Sequence, residues 1–191
     1  MDGIRRSVRL AVGATLLLAF ALVVAMLPRG APPTPLPIEG KGGGPFALPT
    51  AAGVTEASWQ GTPVLVFLVP AERLEGVDQQ RGAGEATPSA TVPGQPGLRL
   101  FALSAKSTYL GCTVGLQAEL GASLDIEDYD LDGLRDGRVL DPCHHGQWDP
   151  YHRGVPVAGP APERLAVLDA SVQDGRLVAT GFDGPVGPAP R

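Results

Sequence analysis

Apolar residues gather into a few stretches that differ in length and rhythm. The first, Leu10–Leu27 (LAVGATLLLAFALVVAML), is an uninterrupted uncharged run of eighteen residues. As a helix it would rise about 27 Å, close to the roughly 30 Å of a bilayer's hydrocarbon core. The second, Thr62–Val69 (TPVLVFLV), is short, unbroken and rich in β-branched residues, and it follows Gly61. That pattern predicts a strand buried on both faces. The third, Leu98–Ala105 (LRLFALSA), alternates enough to predict another strand. A last pattern, Glu163–Gly181, predicts a hairpin: Val167 and Leu168 lie on one arm, Leu177 and Val178 on the other, and Asp174-Gly175 makes the turn. No helix-period pattern of full length occurs beyond the first run. The exported part is therefore expected to be all-β, preceded by one transmembrane helix.

Polar positions mark the boundaries. Arg5, Arg6 and Arg9 precede the first run, and only Arg29 follows it closely. This asymmetry predicts a cytoplasmic N-terminus (1–9), a single-pass anchor (10–27) in the cell membrane, and a head on the extracytoplasmic side. A cleaved signal peptide is the alternative, and the Arg5-Arg6 pair also permits a twin-arginine route. The stretch 28–45 (PRGAPPTPLPIEGKGGGP) reads as a Pro/Gly linker or hinge, stiff in its first half and flexible around Gly42, Gly43 and Gly44. The head is assigned to 46–183. Within it, Ala71–Gly97 is expected to be a long surface loop. The Gly/Pro-rich end, 184–191, is expected to be a flexible tail.

The net charge of -5 removes the case for nucleic acid as a partner. With 26 Gly, 20 Pro and few aromatics, the head must rely on short strands and turns. Its two cysteines, Cys112 and Cys143, fall in the exported part, where disulfides persist. One bridge is the simplest use of them, and closing a loop of about thirty residues is worth roughly 3–4 kcal/mol in the chain-entropy model. The alternative is metal ligation by Cys143 with the neighbouring histidines, which leaves Cys112 a stray thiol. A mononuclear site from His144, His145 and His152 with Asp141 is a related possibility. Asp128, Asp130 and Asp132 before Gly133 match the opening of a calcium loop. The twelfth position, Val139, excludes an EF-hand, but a looser Ca2+ site using Asp136 fits the same residues. An acidic, solvated insertion fits them too. No nucleophile with a companion base stands out.

Two separated stretches carry a family resemblance. KSTYLGCTVG (Lys106–Gly115) and DPCHHGQWDPYHRGVPVAGPAPERL (Asp141–Leu165) resemble the two boxes of Rieske iron–sulfur proteins of the cytochrome bc type. The family's boxes read Cys-Thr-His-Leu-Gly-Cys and Cys-Pro-Cys-His-Gly-Ser, followed by a Gly-Pro-Ala-Pro loop over the cluster. Here they read Ser107-Thr108-Tyr109-Leu110-Gly111-Cys112 and Asp141-Pro142-Cys143-His144-His145-Gly146. The loop is Gly159-Pro160-Ala161-Pro162. The likeness covers roughly Val64 to Gly181 and implies a Rieske-like antiparallel β-sandwich with a small cluster-binding-type subdomain. It also implies a disulfide between Cys112 and Cys143, in agreement with the simplest reading of the cysteines.

The departures fall on the ligand positions. A Rieske [2Fe–2S] cluster takes two Cys on one iron and two His on the other. The positions equivalent to those ligands hold Ser107, Tyr109, Asp141 and His144, so only His144 matches. Gly146 and Trp148 replace the family's hydroxyl-bearing Ser and Tyr near the cluster. The expectation is a membrane-anchored member without its cluster, a structural or docking subunit beside a cytochrome b-type or other respiratory or photosynthetic complex. A working electron carrier with non-standard ligands is one alternative. A calcium- or metal-stabilised extracytoplasmic binding domain is the other.

Overall fold

A computed structural model describes residues 32–75, 86–116 and 138–188. The expected anchor and the four aspartates of the calcium reading (Asp128, Asp130, Asp132, Asp136) lie outside the described residues. Thr34–Arg191 is one compact unit. Among the described residues no helix is long and apolar enough to cross a membrane.

The unit is built on two antiparallel sheets. The strands are β1 (Leu36–Pro37), β2 (Glu39–Gly40), β3 (Gly53–Trp59), β4 (Thr62–Pro70), β5 (Ala90–Val92), β6 (Gln95–Ser104), β7 (Gly115–Leu116), β8 (Val139–Leu140), β9 (Gln147–Asp149), β10 (Val155–Ala158), β11 (Val167–Gln173) and β12 (Arg176–Asp183). The larger sheet runs β1-β12-β11-β6-β4-β3-β2, with β5 added on β6. The smaller runs β10-β9-β8-β7. The all-antiparallel character and the smaller second sheet agree with the expected architecture.

The apolar run of β4 is continuous because both of its faces are covered. Leu65, Phe67 and Val69 join Phe101 and Leu103 of β6, Val139 of β8, Trp148 of β9, Tyr151 and Leu165 in one core. Val64, Val66 and Leu68 point the other way, into a second core with Leu100, Ala102, Ile38, Phe46, Trp59 and Leu177. The period-two alternation of side chains thus splits one strand between two cores. The first core is the platform under the smaller sheet. Phe67 and Phe101 stack there with centroids 4.7 Å apart, and Tyr151 meets Phe101 edge-on at 6.1 Å.

The turns follow their chemistry. Gln60 and Gly61 (φ 50° and 74°) join β3 to β4, and Asp174 and Gly175 (φ 49° and 72°) join β11 to β12. Left-handed φ at both central residues matches the strand twist of a two-residue hairpin. The hairpin and its Asp174-Gly175 turn are as the sequence predicts.

Three segments differ from expectation. The sheet extends into the stretch read as linker: Leu36 and Pro37 pair with Ala179 and Val178, and Glu39 and Gly40 with Ser58 and Ala57. Ile38 between them is buried. Two-residue edge strands carry no periodicity, and proline is tolerated at an edge. The stretch read as a surface loop holds a short helix, Ala71–Glu75, whose Leu74 reaches the first core. It also holds β5 and the start of β6, joined through Pro93-Gly94 (Gly94 φ 78°). Finally, the segment read as a flexible tail runs past the first box. A Cβ on Gly187 would run into the Ser107 carbonyl oxygen, so the close approach depends on glycine there.

Candidate functional site

The first box is the loop that leaves β6. Lys106 and Thr113 bridge across its base, the Ser107 N–H donates to the Cys112 carbonyl (2.8 Å), and the Gly111 N–H returns to the Ser107 carbonyl (3.0 Å). Gly111 closes the loop at φ 76°. The Ser107 Oγ accepts from the Tyr109 N–H at 3.3 Å. Ser107 is fully buried, whereas Tyr109 stands 41% exposed at the tip.

The second box is the turn between β8 and β9. The Asp141 N–H donates to the Gly146 carbonyl (2.8 Å) and the His145 N–H to the Asp141 carbonyl (2.9 Å). His145 takes the left-handed conformation at φ 59°. Asp-Pro opens a turn because the carboxylate can accept backbone N–H groups just ahead while Pro fixes φ. Here Oδ1 accepts from the N–H groups of Cys143 (2.8 Å) and His144 (3.1 Å). Oδ2 lies 3.2 Å from the His144 Nδ1.

The boxes meet through two links. Cys112 and Cys143 form a disulfide, their Cα atoms 6.4 Å apart. The Ser107 hydroxyl also acts on the Asp141 carboxylate, helping to hold it ionised. Asp141 is 0% exposed. Burial pushes its carboxyl pKa up, but hydrogen bonds from Ser107, the Cys143 N–H and His144 outweigh that and hold it below the ordinary value. Above them, the Tyr109 and His144 rings meet edge-to-face at 5.3 Å.

The Gly159-Pro160-Ala161-Pro162 loop lies on the second box. A Cβ on Gly159 would come 2.5 Å from the His145 carbonyl oxygen and 2.7 Å from the Gly146 Cα. Just beyond the loop, the Glu163 carbonyl accepts from the Thr108 hydroxyl (2.8 Å) and from the Trp148 Nε1–H (3.0 Å). One carbonyl therefore ties the covering segment to the first box and to β9, the strand that leaves the second.

The four-residue metal reading from His144, His145, His152 and Asp141 does not assemble. The His152 Nδ1 sits 2.7 Å from the Asp149 Oδ2, in a separate buried pair. That pair belongs to a second turn, Asp149-Pro150-Tyr151-His152-Arg153-Gly154, whose likeness to Asp141–Gly146 was not drawn from the sequence. Its Asp149 Oδ1 accepts the Tyr151 N–H (2.9 Å), and Arg153 is left-handed at φ 54°. Thr87 holds it: its hydroxyl donates to the Pro150 carbonyl and accepts the Arg153 N–H, both at 2.6 Å. The eight-residue spacing of Asp-Pro-x-His-x-Gly was the available signal.

The curated proteins to which the chain is similar are named as Rieske or iron–sulfur subunits. A stretch of 91 residues is 38% identical to the cytochrome bc1 complex Rieske iron–sulfur subunit of Corynebacterium diphtheriae, covering 47% of this chain and 19% of that protein. The subunit of the same name from Mycobacterium tuberculosis is 37% identical over 91 residues, 18% of its length. The cytochrome b6-f complex iron–sulfur subunit of Trichodesmium erythraeum is 29% identical over 136 residues, covering 70% of this chain and 65% of that one. The match thus spans about a fifth of the length of the bc1 relatives. Among solved structures, the soluble domain of Rieske protein II from Sulfolobus acidocaldarius aligns with 20% identity and a TM-score of 0.44, over 74% of this chain and 75% of that one. No protein-family model matches the chain. The chain is a distant homologue of the Rieske iron–sulfur protein family.

Proposed function

We propose that this chain is a membrane-anchored Rieske-type protein whose head carries no [2Fe–2S] cluster. In this reading it acts as a structural or docking subunit beside a cytochrome b-type respiratory or photosynthetic complex. The relatives named for the bc1 and b6-f complexes support the setting. The observation that carries the reading is the state of the donors. Thiolates select an iron–sulfur cluster, and the two cysteines of the chain are joined to each other. Ser107, Tyr109 and Asp141 stand at three of the four ligand-equivalent positions. The Asp141 carboxylate is already engaged by two backbone N–H groups, a hydroxyl and an imidazole. A cluster does not fit that donor set.

The head supplies instead a rigid, covered tip on which Tyr109 and His144 are presented. The tip's order comes from the disulfide, the Asp141 turn and the Glu163 carbonyl. Iron and acid-labile sulfide assays on the full chain, purified under non-reducing conditions, test this. Neither is expected above trace, and the reduced protein should give no Rieske-type EPR signal. Near-stoichiometric iron and sulfide with that signal would overturn the reading.

A further inference from the structure

The disulfide does not lie alone. One ligand atom from each of Cys112, Cys143 and Asp141 falls within 4.8 Å of the other two. We propose that reduction of the Cys112–Cys143 bridge creates a divalent-metal site of two thiolates and one carboxylate, suited to a borderline ion such as Zn2+. This goes beyond the cluster-less reading, because it adds the two cysteines to Asp141, one of the positions equivalent to cluster ligands.

The backbone around both sulfurs is held by bonds that do not depend on the bridge. Cys143 sits in the Asp141 turn, its N–H on the carboxylate at 2.8 Å. The Cys112 carbonyl accepts the Ser107 N–H, also at 2.8 Å. Opening the bridge therefore leaves both thiols near their present positions. Zn–S bonds of about 2.3 Å in tetrahedral geometry set the sulfurs about 3.8 Å apart, so the required movement is small. The fourth position would fall to water, as at zinc sites with three protein ligands. His144, at 3.2 Å from the Asp141 Oδ2, orients the ligating carboxylate. Cys143 is exposed and Cys112 half-buried, so a reductant can reach the bridge.

The chemistry balances with a dithiol as reductant. The dithiol becomes a cyclic disulfide, and its two electrons and two protons pass to the protein as two thiols. Metal entry then releases those two protons as the thiolates bind.

Co2+ serves as the probe, added to the full chain before and after treatment with dithiothreitol and its removal under argon. The reduced chain is expected to take one Co2+ with a thiolate-to-cobalt charge-transfer band that Zn2+ abolishes. The oxidised chain should show no such band. Cys143→Ser should lose the band, and His144→Ala should weaken binding about 10- to 100-fold, the usual cost of removing a ligand's hydrogen-bond partner. Asp141→Asn, whose amide oxygen can still build the turn, should weaken it at least as much. No band in the reduced chain overturns the proposal, and so does a band that survives Cys143→Ser. Unfolding on reduction, read by far-UV circular dichroism, overturns it as well. Iron and sulfide in the untreated chain would instead bear on the cluster-less reading, so the two failures are distinguishable.

Discussion

Asp141–Gly146 and Asp149–Gly154 are two copies of one turn. Each opens Asp-Pro, each carboxylate accepts the N–H two residues on, and each meets the Nδ1 of a histidine three residues on. Each then turns through a left-handed residue, His145 or Arg153. They differ in setting. The His152 side chain is 9% exposed and its turn is locked by Thr87, while the His144 side chain is 29% exposed beside Tyr109 and the disulfide. The second copy lies outside the ligand-equivalent positions, yet it uses the same construction. Asp141 is a turn-building aspartate, and in the proposed reading it stands at a ligand-equivalent position.

Substitutions separate the two turns. The largest effect should come from the bridge, which the second turn does without. Replacing both Cys112 and Cys143 by Ser should cost about 3–4 kcal/mol in urea unfolding, and a loss below about 1 kcal/mol would show that the turn holds the tip unaided. Asp149→Ala should follow, at about 3 kcal/mol, because it removes the carboxylate that meets the buried His152 Nδ1 and the acceptor of the Tyr151 N–H. Asp141→Ala should cost less, about 2 kcal/mol, since His144 can turn to solvent; equal losses would remove the distinction between tip and interior. Gly187→Ala should cost about 1–2 kcal/mol by pushing the terminal segment off the Ser107 carbonyl, seen as a lower Tm.

The smallest effect is a pH dependence. The Asp141 carboxyl titrates below its ordinary value of 3.8 when folded, so as pH falls the unfolded chain takes up that proton first. Its stabilisation is complete above the unfolded value and fades as pH drops through the range below about 4. The stability gap between the native chain and Asp141→Asn should narrow over that range in pH-dependent unfolding. Asp183, held low by hydrogen bonds from Arg164 and Arg153, titrates in the same direction and is common to both chains.

Much of the architecture was readable because it is periodic. β4, the body of β6 and the hairpin from Val167 to Asp183 each carry an alternating or continuous apolar pattern ending at a turn signal. The disulfide was readable because two cysteines leave one pairing. β1 and β2 were not, since two residues have no period and Pro37 argues against a strand except at an edge. The Ala71–Glu75 helix is too short for a pattern, and its Leu74 reaches the first core. The hold of Gly187 on Ser107 was invisible because it needs only the absence of a Cβ. At the site, the residue types were legible, but the engagement of the Asp141 carboxylate by Ser107 and two N–H groups belongs to the folded geometry.

The residues now at the ligand-equivalent positions are proposed to exclude a cluster. The most direct measurement is iron and acid-labile sulfide on the full chain, co-produced with iron–sulfur assembly machinery, beside a chain carrying Ser107→Cys, Tyr109→His and Asp141→Cys. The native chain should hold no iron or sulfide above trace, and the substituted chain should gain both in equal amounts. Iron and sulfide in equal, near-stoichiometric amounts in the native chain would show that these residues admit a cluster.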